Sequence, residues 1–192
     1  MSYNFFAFTD RMKYIRRWQL MRCVRDENIM EHSQQVAMFA HALAVINNRV
    51  FGGNADAGKA ALYAVYHECG EVVTGDLPTP IKYFNNSITG AYKKLEERAS
   101  DKLLETLPKE LRSEFEKSVK PDVESYEYKL MKAADRLSAY VKCLEELRCG
   151  NAEFSKAKKS IEEDLKSRNM PEINYFFENF IDSFALTLDE LD

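Results

Sequence analysis

The chain contains three histidines, His32, His41 and His67, and each can bind a metal ion or move a proton. His32 and His41 are nine residues apart in one helical pattern, which places them ~180° apart around the helix axis at ~100° per residue. They therefore cannot serve one site from that helix. Because Val36 and Phe39 share the side of His32, we expect His32 to point into the core and His41 to face solvent.

His67 stands at the end of the apolar run AALYAVYH, and Glu68 follows it directly. Adjacent helical residues diverge by ~100°, yet both can grip one ion from the edge of a groove. Glu71 lies one helical turn beyond His67 and on the same predicted face. Ionisable groups this dense on a buried helix are costly unless something pairs them.

Asp135 is a carboxylate within a small apolar stretch of a long predicted helix, because Met131 and Ala139 lie four residues to either side. Together, three helices offer two nitrogen and two oxygen ligands for a metal ion, from His32, His67, Glu68 and Asp135. Spacing leaves an alternative open, in which the histidines are hydrogen-bonded core residues and Asp135 pairs with an arginine.

The elements that must position these residues are helical, since the segments between the seven glycines and five prolines carry helical rather than alternating apolar patterns. The loop DLPTPIKYF follows Gly75, which can cap a helix. The sequence predicts an all-α, single-domain fold over residues 1–192. Its predicted helices cover 4–18, Glu31–Ile46, Ala55–Val73, 88–105, 108–118, 123–149, a segment capped by Asn151 that reaches 168, and a last helix opened by Pro171.

Composition narrows the classes of function. The 192 residues carry a net charge of −4, which argues against an extended nucleic-acid surface, although one or two arginines suffice to hold a small phosphate ligand. No apolar run reaches the ~18–20 residues that span a bilayer, and the first residues do not form a secretory signal. The four cysteines contain no CxxC pair and resemble reduced thiols. We therefore expect a cytoplasmic protein that binds neither a nucleic-acid polymer nor a membrane.

Three segments, EHSQQVAMFAHALA, YHECGEVVTGDLPTPIKYFN and KAADRLSAYVKCLEE, resemble the bacterial 5′-deoxynucleotidase family of HD-domain phosphohydrolases. The resemblance begins near Phe5, includes RRWQLMRCVRDENIMEHS and continues more weakly through NYFFENFIDSFALTLDE. Many hydrolases share H…HD…D, but the RW pair and the GDLPTP loop are more specific. The resemblance implies an HD-type helical bundle, a homodimer, and hydrolysis of deoxyribonucleoside 5′-monophosphates to deoxynucleoside and phosphate.

The family pattern assigns one divalent metal ion to His32, His67, the acidic residue at position 68 and Asp135. The sequence departs from the pattern at Glu68, where the motif has aspartate. Glutamate keeps the charge and the oxygen donors but adds one methylene, so the ion or the helix must shift. We expect Glu68 to bind the metal nevertheless, and these ligand types suit Mn, Co, Fe or Zn.

The remaining motif residues fit a phosphomonoesterase. A metal ion lowers the pKa of a bound water, and Glu71 can exchange a proton with that water or with the leaving 5′-oxygen. Arg17 can clamp a phosphate through its planar fork. Trp18, the only tryptophan, can fill the space that a 2′-hydroxyl would need. In the alternative interpretation, Arg17 is a surface cation, Trp18 anchors the core and Glu71 faces solvent.

The resemblance also places the loop after Gly75 around the substrate, through Asp76, Leu77, Pro78 and Thr79. Asp76 can bond the sugar 3′-hydroxyl or orient the attacking water, although Gly-Asp is also common in simple turns. Two other functions remain open. One is an HD hydrolase acting on nucleoside triphosphates or cyclic nucleotides, which would need more cations than Arg17. The other is a nucleotide-binding protein that lost catalysis through Glu68.

Overall fold

The computed structural model describes residues 2–191, and within that range it contains helices, turns and one isolated β-bridge. No helix of this range is long and apolar enough to cross a membrane. The predicted all-α fold is confirmed. The α-helices are α1 (Phe5–Thr9), α2 (Ile29–Val50), α3 (Ala57–Tyr66), α4 (Glu71–Thr74), α5 (Thr79–Lys82), α6 (Asn86–Glu105), α7 (Lys109–Val119), α8 (Tyr126–Arg148), α9 (Ser155–Ser167) and α10 (Pro171–Asn179), and short 3₁₀ helices cover Asp10–Tyr14, Ala152–Phe154, Ile181–Ala185 and Leu188–Glu190.

The centre of the fold is built from α2, α3 and α8, whose inward faces are apolar and belong to one buried cluster. Alanines on these faces let the helix axes come close together, and leucines fill the space between them. Fully buried members of this cluster are Val36, Ala40 and Leu43 of α2, Ala60 and Ala64 of α3, and Leu130, Ala134 and Leu137 of α8. A second cluster joins α1 to the end of α6 through Phe5 and Leu103. The side chains of His32, His67, Glu68 and Asp135 lie where α2, α3 and α8 meet.

The start of α2 is fixed by Asn28, whose side-chain oxygen accepts hydrogen bonds from the backbone N–H groups of Met30 and Glu31, both at 3.0 Å. The helix therefore begins two residues earlier than predicted. It also continues past Asn47 and Asn48 to Val50. Because His32 lies in the first turn after this cap, Asn28 fixes the position at which the His32 side chain enters the core.

The prediction of one helix over 4–18 is wrong beyond Tyr14. Residues after the 3₁₀ helix are extended and pair with the segment that precedes α2. The N–H of Arg17 donates to the carbonyl of Glu27 at 2.9 Å, and the N–H of Ile29 donates to the carbonyl of Ile15 at 3.0 Å. The backbone donors thus bond across a loop instead of along a helix. This pairing places Arg17 and Trp18 beside the start of α2.

The predicted helix over Ala55–Val73 is also wrong, because α3 ends at Tyr66. The following N–H groups bond three residues back, from Cys69 to Tyr66 at 3.1 Å and from Glu71 to Glu68 at 3.0 Å. Such tight turns wind faster than an α-helix and redirect the side chains. Further on, the predicted loop DLPTPIKYF contains one helical turn, α5, which begins directly after Pro78.

Replacing Asn28 by alanine removes the two cap bonds of α2 and is expected to lower the free energy of unfolding by about 1 kcal/mol. Urea unfolding of metal-free protein followed by circular dichroism measures the change. Asn179→Ala, on the exposed end of α10, is the matched control and should have little effect. An unfolding midpoint of Asn28→Ala equal to that of the unsubstituted chain would contradict the role of this cap.

Candidate metal and phosphate site

Four side chains from three parts of the chain meet at the centre of the bundle, and they are the four that the family pattern assigns to a metal ion. His32 comes from the first turn of α2, His67 and Glu68 from the turn after α3, and Asp135 from the middle of α8. One ligand atom of each lies within 4.8 Å of the ligand atoms of the other three. Ligand atoms around one divalent ion are roughly 3–4 Å apart at bond lengths of about 2.1 Å. The set is therefore close enough to share one ion.

His32 is fully buried and presents its Nε2 atom to two carboxylates, with Asp135 Oδ1 at 3.0 Å and Glu68 Oε1 at 3.7 Å. Its Nδ1 lies 3.0 Å from the hydroxyl of Ser138, which donates its own hydrogen to Gln35 at 2.6 Å. The hydroxyl therefore accepts from Nδ1–H, and this tautomer leaves the Nε2 lone pair for a metal.

The electrostatic balance at His32 indicates a site for positive charge. Burial and the Arg17 guanidinium disfavour a charged imidazole, but Glu68 and Asp135 outweigh them and raise the pKa of His32. The protein thus places more negative charge around Nε2 than its own cations neutralise. A divalent ion would neutralise the same charge.

His67 has one satisfied nitrogen and one that is free. Its Nδ1 donates to the carbonyl of Ala64 at 2.6 Å, while the buried Nε2 has no hydrogen-bond partner among the described residues. Burial lowers the pKa of His67, so its imidazole is neutral. A buried Glu68 oxygen, Oε2, likewise lacks a partner within residues 2–191. Since unpaired buried polar atoms are costly, a neutral imidazole and a free carboxylate oxygen at this place fit a metal ion well.

Asp135 is held from outside by Lys132, which sequence reasoning missed. The Lys132 ammonium lies 2.9 Å from Oδ2, which leaves Oδ1 directed at His32. Burial alone would raise the pKa of Asp135, but Lys132 and His32 hold it well below its usual range. The spacing of Lys132 and Asp135, three residues apart on one helix, is the signal that could have revealed the pair.

Arg17 is half-buried beside the four predicted ligands and is not a surface cation. Burial opposes its charge, but the surrounding carboxylates of Glu68, Glu27, Asp135 and Asp76 raise the pKa of its guanidinium. Its Nη1 is buried and bonds to no other group in the part of the chain that is described. A guanidinium held in this way has a free donor for a phosphate oxygen.

Trp18 is half-buried, with its ring 5.3 Å from that of Phe154 and its Nε1–H donating to Glu27 at 2.8 Å. Its φ of 59° lies in the left-handed region, which bulky residues rarely adopt. Packing and the hydrogen bond to Glu27 hold this conformation. The ring therefore packs against the core, as in the interpretation of Trp18 as a core anchor. It is also partly exposed, as contact with a sugar would require.

A cleft of about 290 Å³ opens next to Arg17 and Trp18. The loop after Gly75 forms one wall, and Gln19 fixes it by donating to the carbonyl of Asp76 at 3.2 Å. Leu77 does not line the cleft, in contrast to the rest of the predicted loop set. The lining residues are Arg17, Trp18, Gln19, Leu20, Met21, Asp76, Pro78, Thr79, Pro80, Arg136, Ala139, Ala157, Ser160 and Ile161.

Glu71 starts the short helix α4, so it is not on a continuous helix with His67 as predicted. Its Oε2 is buried and has no partner among the described residues, which excludes a solvent-facing role. Burial, together with the charges of Glu68 and Asp76, raises the pKa of Glu71 to about 9. At neutral pH this carboxyl group carries a proton and can donate it.

Sequence comparisons match nearly the whole chain. The family model described as 5′-deoxynucleotidase YfbR-like matches residues 4–184. The 5′-deoxynucleotidases of Yersinia pestis (strain Pestoides F) and Yersinia pseudotuberculosis serotype O:3 (strain YPIII) are each 54% identical over 189 residues. These alignments cover 98% of this chain and 96% of either relative.

Solved structures share the fold. An HD-domain phosphohydrolase from Listeria innocua superposes with a TM-score of 0.81 at 18% identity, over 94% of this chain and 88% of that one. The HD phosphohydrolase of cyanophage S-2L, bound to dA and one catalytic Zn²⁺ ion, gives 0.66 at 20% identity, over 92% of this chain and 96% of that one. At this identity the likeness concerns the fold, and it confirms the predicted HD-type helical bundle.

Lys132→Met should weaken metal binding, because Asp135 would lose the cation that directs its free oxygen inward. Loss of such a supporting contact typically costs 10–100-fold in metal affinity. Isothermal titration of metal-free protein with Zn²⁺ or Co²⁺ measures it. Exposed Lys129, one turn earlier on α8, provides the control as Lys129→Met. Equal affinities in the two variants would show that Lys132 does not position Asp135.

Proposed function

The chain belongs to the 5′-deoxynucleotidase YfbR-like family, and on this basis we propose how its buried cluster and adjoining cleft act together. The protein is a 5′-deoxynucleotidase, a phosphoric monoester hydrolase that releases deoxynucleoside and phosphate from deoxyribonucleoside 5′-monophosphates. The family of HD phosphohydrolases depends on metal. One observation carries the proposal: four ligand atoms converge within 4.8 Å, beside an arginine whose buried Nη1 donor is free among the described residues.

His32, His67, Glu68 and Asp135 would hold one divalent transition-metal ion, either Co, Mn, Zn or Fe. Such an ion, when bound, polarises a phosphoryl oxygen and lowers the pKa of a water. Glu68 suits the role despite its extra methylene, because Oε1 lies 3.7 Å from the Nε2 atoms of both His32 and His67. This spacing supports a working ligand and disfavours a binding protein disabled at position 68.

Arg17 binds the phosphate in our proposal through its free Nη1. Glu71 donates its proton to the departing 5′-oxygen as the P–O5′ bond breaks. The oxygen of the attacking water forms the new bond to phosphorus, and the proton that this water gives up restores the Glu71 carboxyl group. Asp76, which lines the cleft, orients the water or accepts a hydrogen bond from the sugar 3′-hydroxyl.

Trp18 selects deoxyribose by occupying the space beside the sugar C2′ atom. Its ring cannot easily move away, because Phe154 and Glu27 hold it. Pro78 and Thr79 also line the cleft, and Leu77 belongs to the same loop. The cleft continues between α8 and α9 past Ala139 and Ala157, and such small side chains would accept different bases.

Triphosphate or cyclic substrates fit the cleft less well. Two cations, Arg17 and Arg136, stand among its described lining residues, and Arg136 is already paired with Asp164 at 2.8 Å. Arg17 alone remains for the ligand, which matches one terminal phosphate group. A longer or bridged phosphate would require further donors.

We also propose that residues 1–192 act as one domain, in the cytoplasm and as a homodimer. Cys23, Cys69, Cys143 and Cys149 are all free, as expected in a reducing compartment. Exposed apolar side chains past residue 120, at Val123, Phe180, Leu186 and Leu188, offer surface for a second copy.

Glu71→Gln removes the transferable proton but keeps the shape of the side chain. We expect kcat for deoxynucleoside monophosphates to fall by about 10²–10⁴-fold with little change in KM, as is usual for loss of a general acid or base. Phosphate release by metal-loaded protein measures both constants. Exposed Glu97→Gln on α6 is the control. A kcat like that of the unsubstituted enzyme would remove Glu71 from the mechanism.

Substrate selection is tested with matched deoxyribo- and ribonucleoside 5′-monophosphates. The enzyme should release phosphate from the deoxy series and leave the ribo series almost untouched. Trp18→Ala opens space beside C2′ and should narrow the ratio of the two kcat/KM values by about 10-fold or more, in the range that a steric pocket provides. If the unsubstituted enzyme hydrolyses both series equally, or Trp18→Ala leaves the ratio unchanged, Trp18 does not select the sugar.

A further inference from the structure

Glu27 lies between His32 of the proposed metal site and Trp18 of the cleft. It belongs to neither the predicted ligand set nor the cleft lining. Its side chain is largely buried, at 13% exposure, on the segment that precedes α2. One oxygen, Oε2, accepts the indole N–H of Trp18 at 2.8 Å. The other, Oε1, lies 3.6 Å from His32 Nδ1, which is an ion-pair distance longer than a hydrogen bond.

The two nitrogen atoms nearest to the oxygens of this carboxylate in the contacts above, Trp18 Nε1 and His32 Nδ1, are both donors. The indole nitrogen of Trp18 can only donate. His32 must keep its hydrogen on Nδ1 if Nε2 binds a metal, and that hydrogen bonds the hydroxyl of Ser138 with the Glu27 charge directly beside it. A carboxylate is the side-chain group of this size that presents acceptors in both directions. A glutamine would turn its NH₂ group towards one of the two donors.

The backbone holds Glu27 in this place. Its carbonyl accepts the N–H of Arg17 at 2.9 Å in the short pairing of the two extended segments. Trp18 follows at once with a φ of 59°, a conformation that needs an external restraint in a bulky residue. The hydrogen bond from the indole to Glu27 supplies that restraint.

We propose that Glu27 is a positioning residue that fixes the metal ligand His32 and the sugar-side Trp18 with a single carboxylate. The inference rests on the proposed function, since it assumes that His32 binds a metal through Nε2. A divalent ion on Nε2 would draw electron density from the imidazole and make Nδ1–H a stronger donor. We expect the stronger donor to attract the Glu27 carboxylate and so to alter its hydrogen bond with the Trp18 indole.

The test is titration of the full-length, metal-free protein with Co²⁺, followed by calorimetry and by the fluorescence of Trp18. Because Trp18 is the only tryptophan, its emission reports this contact without interference. We expect metal binding to shift the emission of the unsubstituted chain. Glu27→Gln should bind Co²⁺ 10–100-fold more weakly and should lose the shift.

Glu31→Gln is the matched control, because Glu31 lines the same polar cavity as Glu27 but pairs with exposed Arg25 at 3.7 Å. It removes the same charge nearby and should behave like the unsubstituted chain. Glu27→Asp keeps the charge but is one methylene too short to reach both partners, so it should resemble Glu27→Gln. It also carries the test if Glu27→Gln does not fold.

Three results would overturn the inference. Unchanged Co²⁺ affinity together with a retained emission shift in Glu27→Gln would do so. If Glu27→Asp behaved like the unsubstituted chain, the charge at position 27 alone would be sufficient, and a carboxylate that reaches both His32 and Trp18 would not be needed. Absence of Co²⁺ binding by the unsubstituted chain would remove the proposed metal site as well, which distinguishes failure of both proposals from failure of this one.

Discussion

The arrangement of the molecule depends on the burial of two imidazoles and two carboxylates against one another. Such a cluster is unfavourable inside a protein unless each polar atom has a partner. The protein satisfies the outward atoms: the Ala64 carbonyl bonds His67, Ser138 bonds His32 and Lys132 pairs with Asp135. Two of the inward atoms, His67 Nε2 and Glu68 Oε2, have no partner among the described residues. A metal ion held by these four residues would resolve that imbalance, and it would then stabilise the fold as well as provide chemistry.

The positions of the helices follow from the same requirement. The first turn of α2, the turn after α3 and the middle of α8 meet at one point, and apolar alanines and leucines on these helices bring them close. α3 ends at Tyr66, and the tight turn that follows it carries His67 and Glu68 to the point where the three helices meet. The tight turn also accommodates the longer side chain of Glu68, whose Oε1 lies at the same distance from both imidazoles.

Helical periodicity predicted the fold class, the inward direction of His32 and the exposure of His41, since these depend on the faces of long regular helices. The four proposed ligands were collected from residue types and from family resemblance, and the structure brings them together. The extended segment at Arg17 was not predicted, because its backbone bonds to the segment before α2 override the local pattern. The break after Tyr66 was not predicted because its backbone bonds three residues back leave an apolar pattern that resembles a continuing helix. Glu27 and Ser138 were missed for a related reason: their roles arise from contacts that only the folded chain creates.

The most direct test of this account is a crystal structure of metal-loaded Glu71→Gln with a deoxynucleoside 5′-monophosphate, in which anomalous scattering locates the ion. We expect one ion bonded to His32, His67, Glu68 and Asp135, with the phosphate on Arg17 and the sugar C2′ against the ring of Trp18. An ion bound elsewhere, or one that lacks Glu68 while the phosphate lies away from Arg17, would contradict it.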